Sequence, residues 1–432
     1  MNPMLIFLVA LVFILVLTAR LRVHPFISLI AGSVLVGFLA GETEAIIETV
    51  TAGMSNIFSQ YAITVTSGSI IGVILHKSGA TALIARDITK LFKKPILAIG
   101  LLGFAFAVPM MCLILAFIIF LPVAKDMSTR YGFPKGLTEV VLALATMASF
   151  GLLYPSPGIY AFVNQMGPAE VGVIKVLMIG SVIAIVAMLA GYLYAAKYYG
   201  FSISTDHIQN AVNGYTTDEK EIAVFRTASY TPIVVPVVLI VARLFTNVPI
   251  IEFVGHESMA LLAGAILAMV LFTRSHTSPD IRAWVEKGIR RAGLVLLDIC
   301  GGGALGAALA LAGVGEALGD TLLESSIPAL LIPFLIAAAV QTVQGSRMVT
   351  LFIASALVIP IMPELALPAE IVLFSMASGT FLISHFNDPY FWILADFAEM
   401  ETPEVLKTYT IGGAIMGVSS LLLTGAIYMV FY

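Results

Sequence analysis

One arginine interrupts a long apolar stretch, in the run Gln344-Gly345-Ser346-Arg347. An arginine at the centre of a bilayer costs about 2.5–3.5 kcal/mol on insertion scales, so something must offset it. An organic anion is one candidate, because a guanidinium matches a carboxylate with two parallel hydrogen bonds. A structural salt bridge to Asp388 or Asp298 is the other. Gly345 lets backbone approach a ligand closely. Gln344 and Ser346 add polar groups at the same turn, and a helix starting there presents free N–H groups that favour anions.

Two further clusters carry polar chemistry. In Ser384-His385-Phe386-Asn387-Asp388-Pro389, polar and helix-breaking residues within an apolar span predict an unwound stretch. Asp388 and His385 are titratable and suit a coupling proton, while Ser384 and Asn387 suit substrate hydroxyls. The competing reading is a polar plug that only satisfies freed backbone groups. Tyr154-Pro155-Ser156-Pro157-Gly158 breaks a second span with two prolines and a glycine; Tyr154 and Ser156 are its polar groups. Pro109-Met110-Met111-Cys112 offers a bend and soft apolar packing, so Met111 supplies shape rather than charge.

These clusters need a scaffold suited to lipid. The chain has 432 residues, 59% hydrophobic and 11% charged, against roughly 25% charged in soluble domains. Soluble enzymes and disordered regulators are excluded, and a net charge of −4 offers nothing to a nucleic acid. Long continuous apolar runs, rather than alternation, select helices over a barrel. Ten stretches approach the about 20 residues needed to cross: 3–19, 25–41, 57–76, 137–162, 171–196, 229–246, 257–273, 292–313, 369–394 and 408–431. Segments 95–122 and 328–360 are each interrupted near the middle and predict re-entrant hairpins. Cys112 and Cys300 lie in apolar runs and give no disulfide framework. The first 19 residues lack a basic region and a cleavage site, so they predict a retained span rather than a signal peptide.

The order is three spans, a hairpin and two spans, and then the same again. Gly68, Gly72 and Gly79 match Gly302, Gly306 and Gly313 at constant offset, and Met147-Ala148-Ser149 matches Met376-Ala377-Ser378. Five crossings per half predict that the halves, 1–199 and 229–432, are inverted repeats joined by a cytoplasmic linker, 200–228. With both termini outside, every Lys and Arg among the 22 faces the cytoplasm except Lys175, Arg243 and Arg347, which is a strong positive-inside bias. Two motifs are set aside. Gly301 to Gly306 reads G-x-G-x-x-G but lies within a span, where small residues serve close helix packing. Asp298 lies nearer the inner end of its span and predicts a local helix-to-helix hydrogen bond at least as well as ion coupling. Neither an H-E-x-x-H pair nor a G-x-S-x-G elbow is present, which argues against an intramembrane enzyme. Hairpin tips meeting at mid-membrane argue for an occluded site over an open channel.

Ser384-His385-x-Asn387-Asp388-x-x-Phe391-Trp392 resembles the SHxNDxxFW stretch of the gluconate permease family, proton symporters of the Ion Transporter superfamily. Gln344-Gly345-Ser346, His24-Pro25-Phe26 and Gly301-Gly302-Gly303-Ala304 are similar to that family's motifs, along nearly the whole chain. Three places depart from it: Ser156 and Ile159 stand where the family has a histidine and a proline, Arg347 where small residues are usual, and Ile114 near a common acidic position. The resemblance implies a dimeric elevator, with a scaffold from about 1–90 and 229–325 and a transport domain from about 91–199 and 326–432.

The combined expectation is an all-α, multi-pass protein of a prokaryotic inner or plasma membrane. It imports a small hydroxylated monocarboxylate by proton symport, with sodium as the alternative coupling ion. Its partners are the acid, the ion, lipid and a second copy; no cofactor, metal or nucleic acid is expected.

Overall fold

The computed structural model of the chain describes residues 2–21, 23–81, 83–84, 87, 95–109, 111–167, 171–201, 226–246, 248–273, 277–315, 317, 327–385 and 388–432. Among these residues the fold is all-helical. The first half holds α1 Pro3–Leu15, α2 Pro25–Ala40, α3 Ile46–Lys77, α4 Pro95–Ala107, α5 Leu113–Tyr131, α6 Leu137–Leu152, α7 Pro157–Met166 and α8 Val173–Tyr198. The second holds α9 Arg226–Phe245, α10 Glu257–Phe272, α11 Ser278–Leu311, α12 Leu331–Gln344, α13 Arg347–Val358, α14 Ala369–Gly379, α15 Pro389–Ala398 and α16 Ile411–Phe431. Most of the expected linker and the acidic outer positions Glu316, Asp320 and Glu324 lie outside the described residues.

Proline sets several boundaries. α1, α2, α4, α7 and α15 all begin with proline, where a missing N–H removes no helical bond and the fixed φ is already helical. Both helix breaks fall where expected: residues 153–156 separate α6 from α7, and residues 380–385 and 388 lie between α14 and α15. Residues 108–109 and 111–112 form the turn between α4 and α5, and Gly345-Ser346 the turn between α12 and α13. α3 and α11 start at Ile46 and Ser278, earlier than their apolar runs at 57 and 292. Charged residues such as Glu48, Arg282, Glu286 and Lys287 dilute hydropathy there without opposing helix.

Seven helical stretches among the described residues are long and apolar enough to cross a membrane, including Leu137–Met166 across its break. α1, α2, α10 and α14 are shorter apolar helices. The second arm of hairpin 2 continues to Leu365 and so reaches span length, which makes it longer than the half-length arm expected.

α3 and α11 form the central contact; α2 lies on α11 and α10 on α3. α4 packs on α6 and α12 on α14, while α8 and α16 pack on each other and on α6 and α14 respectively. Small residues make the central contact close: a methyl added at Gly303 would lie 2.9 Å from the Gly53 carbonyl oxygen and 2.3 Å from Ile57. The matched pair Gly68 and Gly302 seats the hairpins. A methyl there would lie 2.6 Å from Met111 Cγ and 2.6 Å from Val349 Cγ1 respectively. The outward faces of α8, α9 and α16 expose Met178, Val182, Val238, Leu422 and Met429, an apolar exterior suited to lipid.

Candidate functional site

Arg347 is the first residue of α13 and is 3% exposed. Its Nη1 donates to Asp388 Oδ2 at 3.2 Å and to the Tyr409 hydroxyl at 3.0 Å, and its Nη2 donates to Ser384 Oγ at 2.8 Å. The guanidinium lies 5.4 and 5.7 Å from the ring centres of Phe381 and Tyr409, within cation–π range. Its Nε–H is buried and has no acceptor.

Asp388 closes the broken segment. Its Oδ1 accepts the Tyr390 N–H at 2.9 Å and so caps α15. Its Oδ2 takes Arg347 and the Tyr409 hydroxyl, which donates at 2.6 Å. Tyr409 reaches inward from the π-helical turn Leu406–Thr410 that leads into α16. Gln341 braces the hairpin turn: its Nε2 donates to the Gly345 carbonyl at 2.6 Å, and its Oε1 accepts from Thr350 Oγ1 at 2.8 Å. Tyr390 and Thr146 hydroxyls lie 2.7 Å apart and tie α15 to α6. A buried ion pair holds only when its remaining donors and acceptors are met, and this network meets nearly all of them. The unpartnered Arg347 Nε–H is the exception.

A cavity of about 150 Å³ adjoins the pair. Met111 and Cys112 of the first hairpin, Ser346 and Arg347 of the second, and Asp388 line one side of it. Pro25, Val295, Asp298 and Ile299 of α2 and α11 line the other. Ser346 is the N-cap of α13 and makes no side-chain capping bond, so its hydroxyl does not occupy the first-turn N–H groups, which favour anions.

The expected residues fall into distinct places. Arg347, Ser346, Asp388 and Met111 meet at the cavity. Gly345, at φ 78°, makes the turn beside it. Ser384 is buried behind Arg347, held by it and by Gln341, and is absent from the cavity wall. His385 is half-buried and is likewise absent from the wall. Gln344 ends α12; its side chain and the whole of Asn387 lie outside the described residues. Ser156 is fully buried, and its Oγ has no hydrogen-bond partner.

Tyr154, expected to read substrate hydroxyls, is not among the residues that line the Arg347 cavity. Its hydroxyl donates to Glu257, and its ring lines a separate, mostly apolar cavity of about 200 Å³. The reason is electrostatic: Glu257 is buried at the start of α10, 3.2 Å from Arg243, and a buried carboxylate gathers every donor in reach. Of the two partners weighed for Arg347, Asp388 forms the pair and Asp298 lines the same cavity. Gly301 to Gly306 lies inside α11, its Cα atoms against α2, α3 and α13, which is the packing role.

Sequence reasoning missed Tyr409, Gln341, Thr146 and Glu257. Tyr409 and Gln341 lie in apolar helices with no motif around them. The one signal is their proximity to named clusters, since Gln341 sits one turn before Gly345. Among the described residues no group of three His, Cys, Asp or Glu side chains is placed to hold a metal ion.

Comparison with known proteins decides the family. Residues 2–430 match the GntP family permeases. The chain belongs to the GntP permease family. It is 30% identical to the low-affinity gluconate transporter of Escherichia coli K12, over 94% of this chain and 93% of that protein. It is 27% identical to a high-affinity gluconate transporter of the same organism, over 97% and 98%. It is 23% identical to that organism's Gnt-II system L-idonate transporter, over 97% and 98%. Among solved structures, the YdaH transporter of Alcanivorax borkumensis aligns with a TM-score of 0.59 at 12% identity, covering 94% of this chain and 98% of that one. The MtrF structure of Neisseria gonorrhoeae aligns with a TM-score of 0.51 at 14% identity, covering 92% and 86%. The permease is therefore a multi-pass membrane transporter rather than an enzyme, on a fold shared with other transporters.

Proposed function

We propose that this permease is a proton-coupled importer of a small hydroxylated monocarboxylate of the gluconate type. The observation that carries the reading is the buried Arg347, which faces the cavity with one unpartnered donor and is neutralised by Asp388. A substrate carboxylate that takes the guanidinium displaces Asp388. A charged Asp388 left without its partner would be destabilised by about 3–5 kcal/mol. A proton on Asp388 removes that penalty, since the neutral acid is the form that burial favours. Substrate and proton thus enter together, and Tyr409 follows the Asp388 oxygen whichever state it holds. Sodium coupling through carbonyls of the broken helices is the second reading, supported by the non-helical residues 153–156 and 380–385.

The conformational cycle in this reading is an elevator in a bacterial inner membrane. Its halves are inverted repeats. Support comes from the matched element order, from Gly79 and Gly313 at φ 81° and 67° after α3 and α11, and from Gly68 and Gly302 seating one hairpin each. The scaffold is 1–90 with 229–325, the transport domain is 91–199 with 326–432, and the permease works as a homodimer. Uptake by reconstituted protein tests it: gluconate should accumulate against its gradient under an imposed inward proton gradient. Accumulation driven by a sodium gradient with no response to protons would favour the second reading, and equilibration without accumulation would refute both.

A further inference from the structure

The cavity's second acidic residue has no role in the carboxylate and proton chemistry above. Asp298 lies on α11, across from Arg347, where its neighbours Pro25, Val295 and Ile299 are apolar. Its Oδ1 is buried and accepts no hydrogen bond. The nearest basic group, His24 Nδ1, is 3.7 Å away, beyond hydrogen-bond distance. That nitrogen already accepts the Phe26 N–H at 3.3 Å as the cap of α2. The Asp298 carboxylate also takes a hydrogen bond from that N–H, which leaves Oδ1 without a donor. A ring nitrogen that accepts carries no proton to donate, so His24 does not satisfy Asp298. Asp298 lines the cavity and its side chain is 32% exposed, so the carboxylate is open to a hydrogen-bond donor that enters there.

We infer that Asp298 is a specificity-determining residue that accepts hydrogen bonds from substrate hydroxyls. The inference rests on the proposed carboxylate site at Arg347. The two charges orient the ligand: its carboxylate is drawn to Arg347 and repelled by Asp298, so its hydroxylated end faces α11. A carboxylate offers about four acceptor positions and forms charge-assisted bonds to hydroxyls, and an acid lacking those hydroxyls forgoes these bonds. Sites that hydrogen-bond a substrate hydroxyl reject analogues lacking it far more strongly than apolar pockets reject a missing methylene.

Calorimetric titration of the purified permease in detergent with gluconate and with 2-hydroxyhexanoate tests this. The wild type should prefer gluconate, and Asp298→Leu should lower that preference by about tenfold to a hundredfold. Asp298→Asn, which keeps one acceptor and the side-chain shape, should fall between the two and covers the case in which the leucine variant does not fold. An unchanged ratio in Asp298→Asn and Asp298→Leu overturns the inference. So does equal weakening of both acids, which would mark Asp298 as part of the charge balance. In either case the Arg347 reading stands if Arg347→Ala removes binding of both acids. A wild type that binds neither acid overturns both.

Discussion

The Arg347–Asp388 pair is both a structural element and the proposed machinery, and substitution can separate the two. Arg347→Ala leaves Asp388 buried with only Tyr409 and the Tyr390 N–H, so it should lower stability by about 3–5 kcal/mol as well as abolish uptake. Adding Asp388→Asn should restore most of the melting temperature in detergent but none of the transport. A double variant that transports would place the anion site elsewhere. Arg347→Lys keeps the charge and loses the fork that holds Asp388, Tyr409 and Ser384 together, so only residual uptake is expected. Asp388→Asn alone mimics the protonated form and still caps α15, since asparagine is a good N-cap. It should lose accumulation driven by a proton gradient yet retain exchange of internal for external substrate. A monoanion moving alone works against about 2.3 kcal/mol per 100 mV of inside-negative potential; the co-transported proton cancels that charge. Continued accumulation by Asp388→Asn would transfer the coupling role to His385 or a sodium site.

The helices position these side chains through contacts that tolerate no added atoms. Gly303 meets Gly53 and Ile57 on α3, whereas Gly293, on the same helix, has open space for 4 Å around an added methyl. Gly303→Ala should therefore separate α3 from α11 and destabilise by about 1–3 kcal/mol. Gly293→Ala should be neutral or raise stability by up to about 1 kcal/mol through helix propensity. Thermal unfolding of the two variants in the same detergent reads the difference; equal melting temperatures would show that α3 and α11 are not held by this close approach. The broken crossings obey the same logic of local necessity. Proline at the start of α7 and α15 begins each helix afresh, and Asp388 then satisfies the Tyr390 N–H, which has no partner within the helix. The cap is the same residue that neutralises Arg347, so the break in the helix and the charge balance of the site are one feature.

For the molecule as a whole, charge distribution predicts orientation. Cysteines introduced at positions 45 and 320 should react with an impermeant reagent from outside intact cells, and one at 215 only after permeabilisation. Labelling of 215 in intact cells would overturn the inverted arrangement and, with it, the assignment of the two hairpins to opposite faces. The bridge from Tyr154 through Glu257 to Arg243 joins the proposed transport domain to the proposed scaffold. A sliding transport domain must break this bridge, and Tyr154→Phe should therefore change the rate of uptake more than the affinity for gluconate, measured as kcat against KM in proteoliposomes.

Hydropathy and proline placement sufficed for the helical class, the turn inside each hairpin and both helix breaks, because lipid demands that backbone bonds close within each segment. The Arg347 and Asp388 clusters were legible for the same reason: polar groups are conspicuous in an apolar chain. Tyr409, Gln341 and Glu257 were not, since each is a single polar residue in a helix and gains meaning from a partner distant in sequence. Tyr409 reaches Asp388 from the turn before α16, and Glu257 accepts the Tyr154 hydroxyl from a helix about a hundred residues further along the chain. Asp298 shows the limit most clearly. Along the chain it is one carboxylate near the inner end of a span. Folding carries it across a cavity from Arg347, and that opposition arises only when α11 packs against α2 and α13.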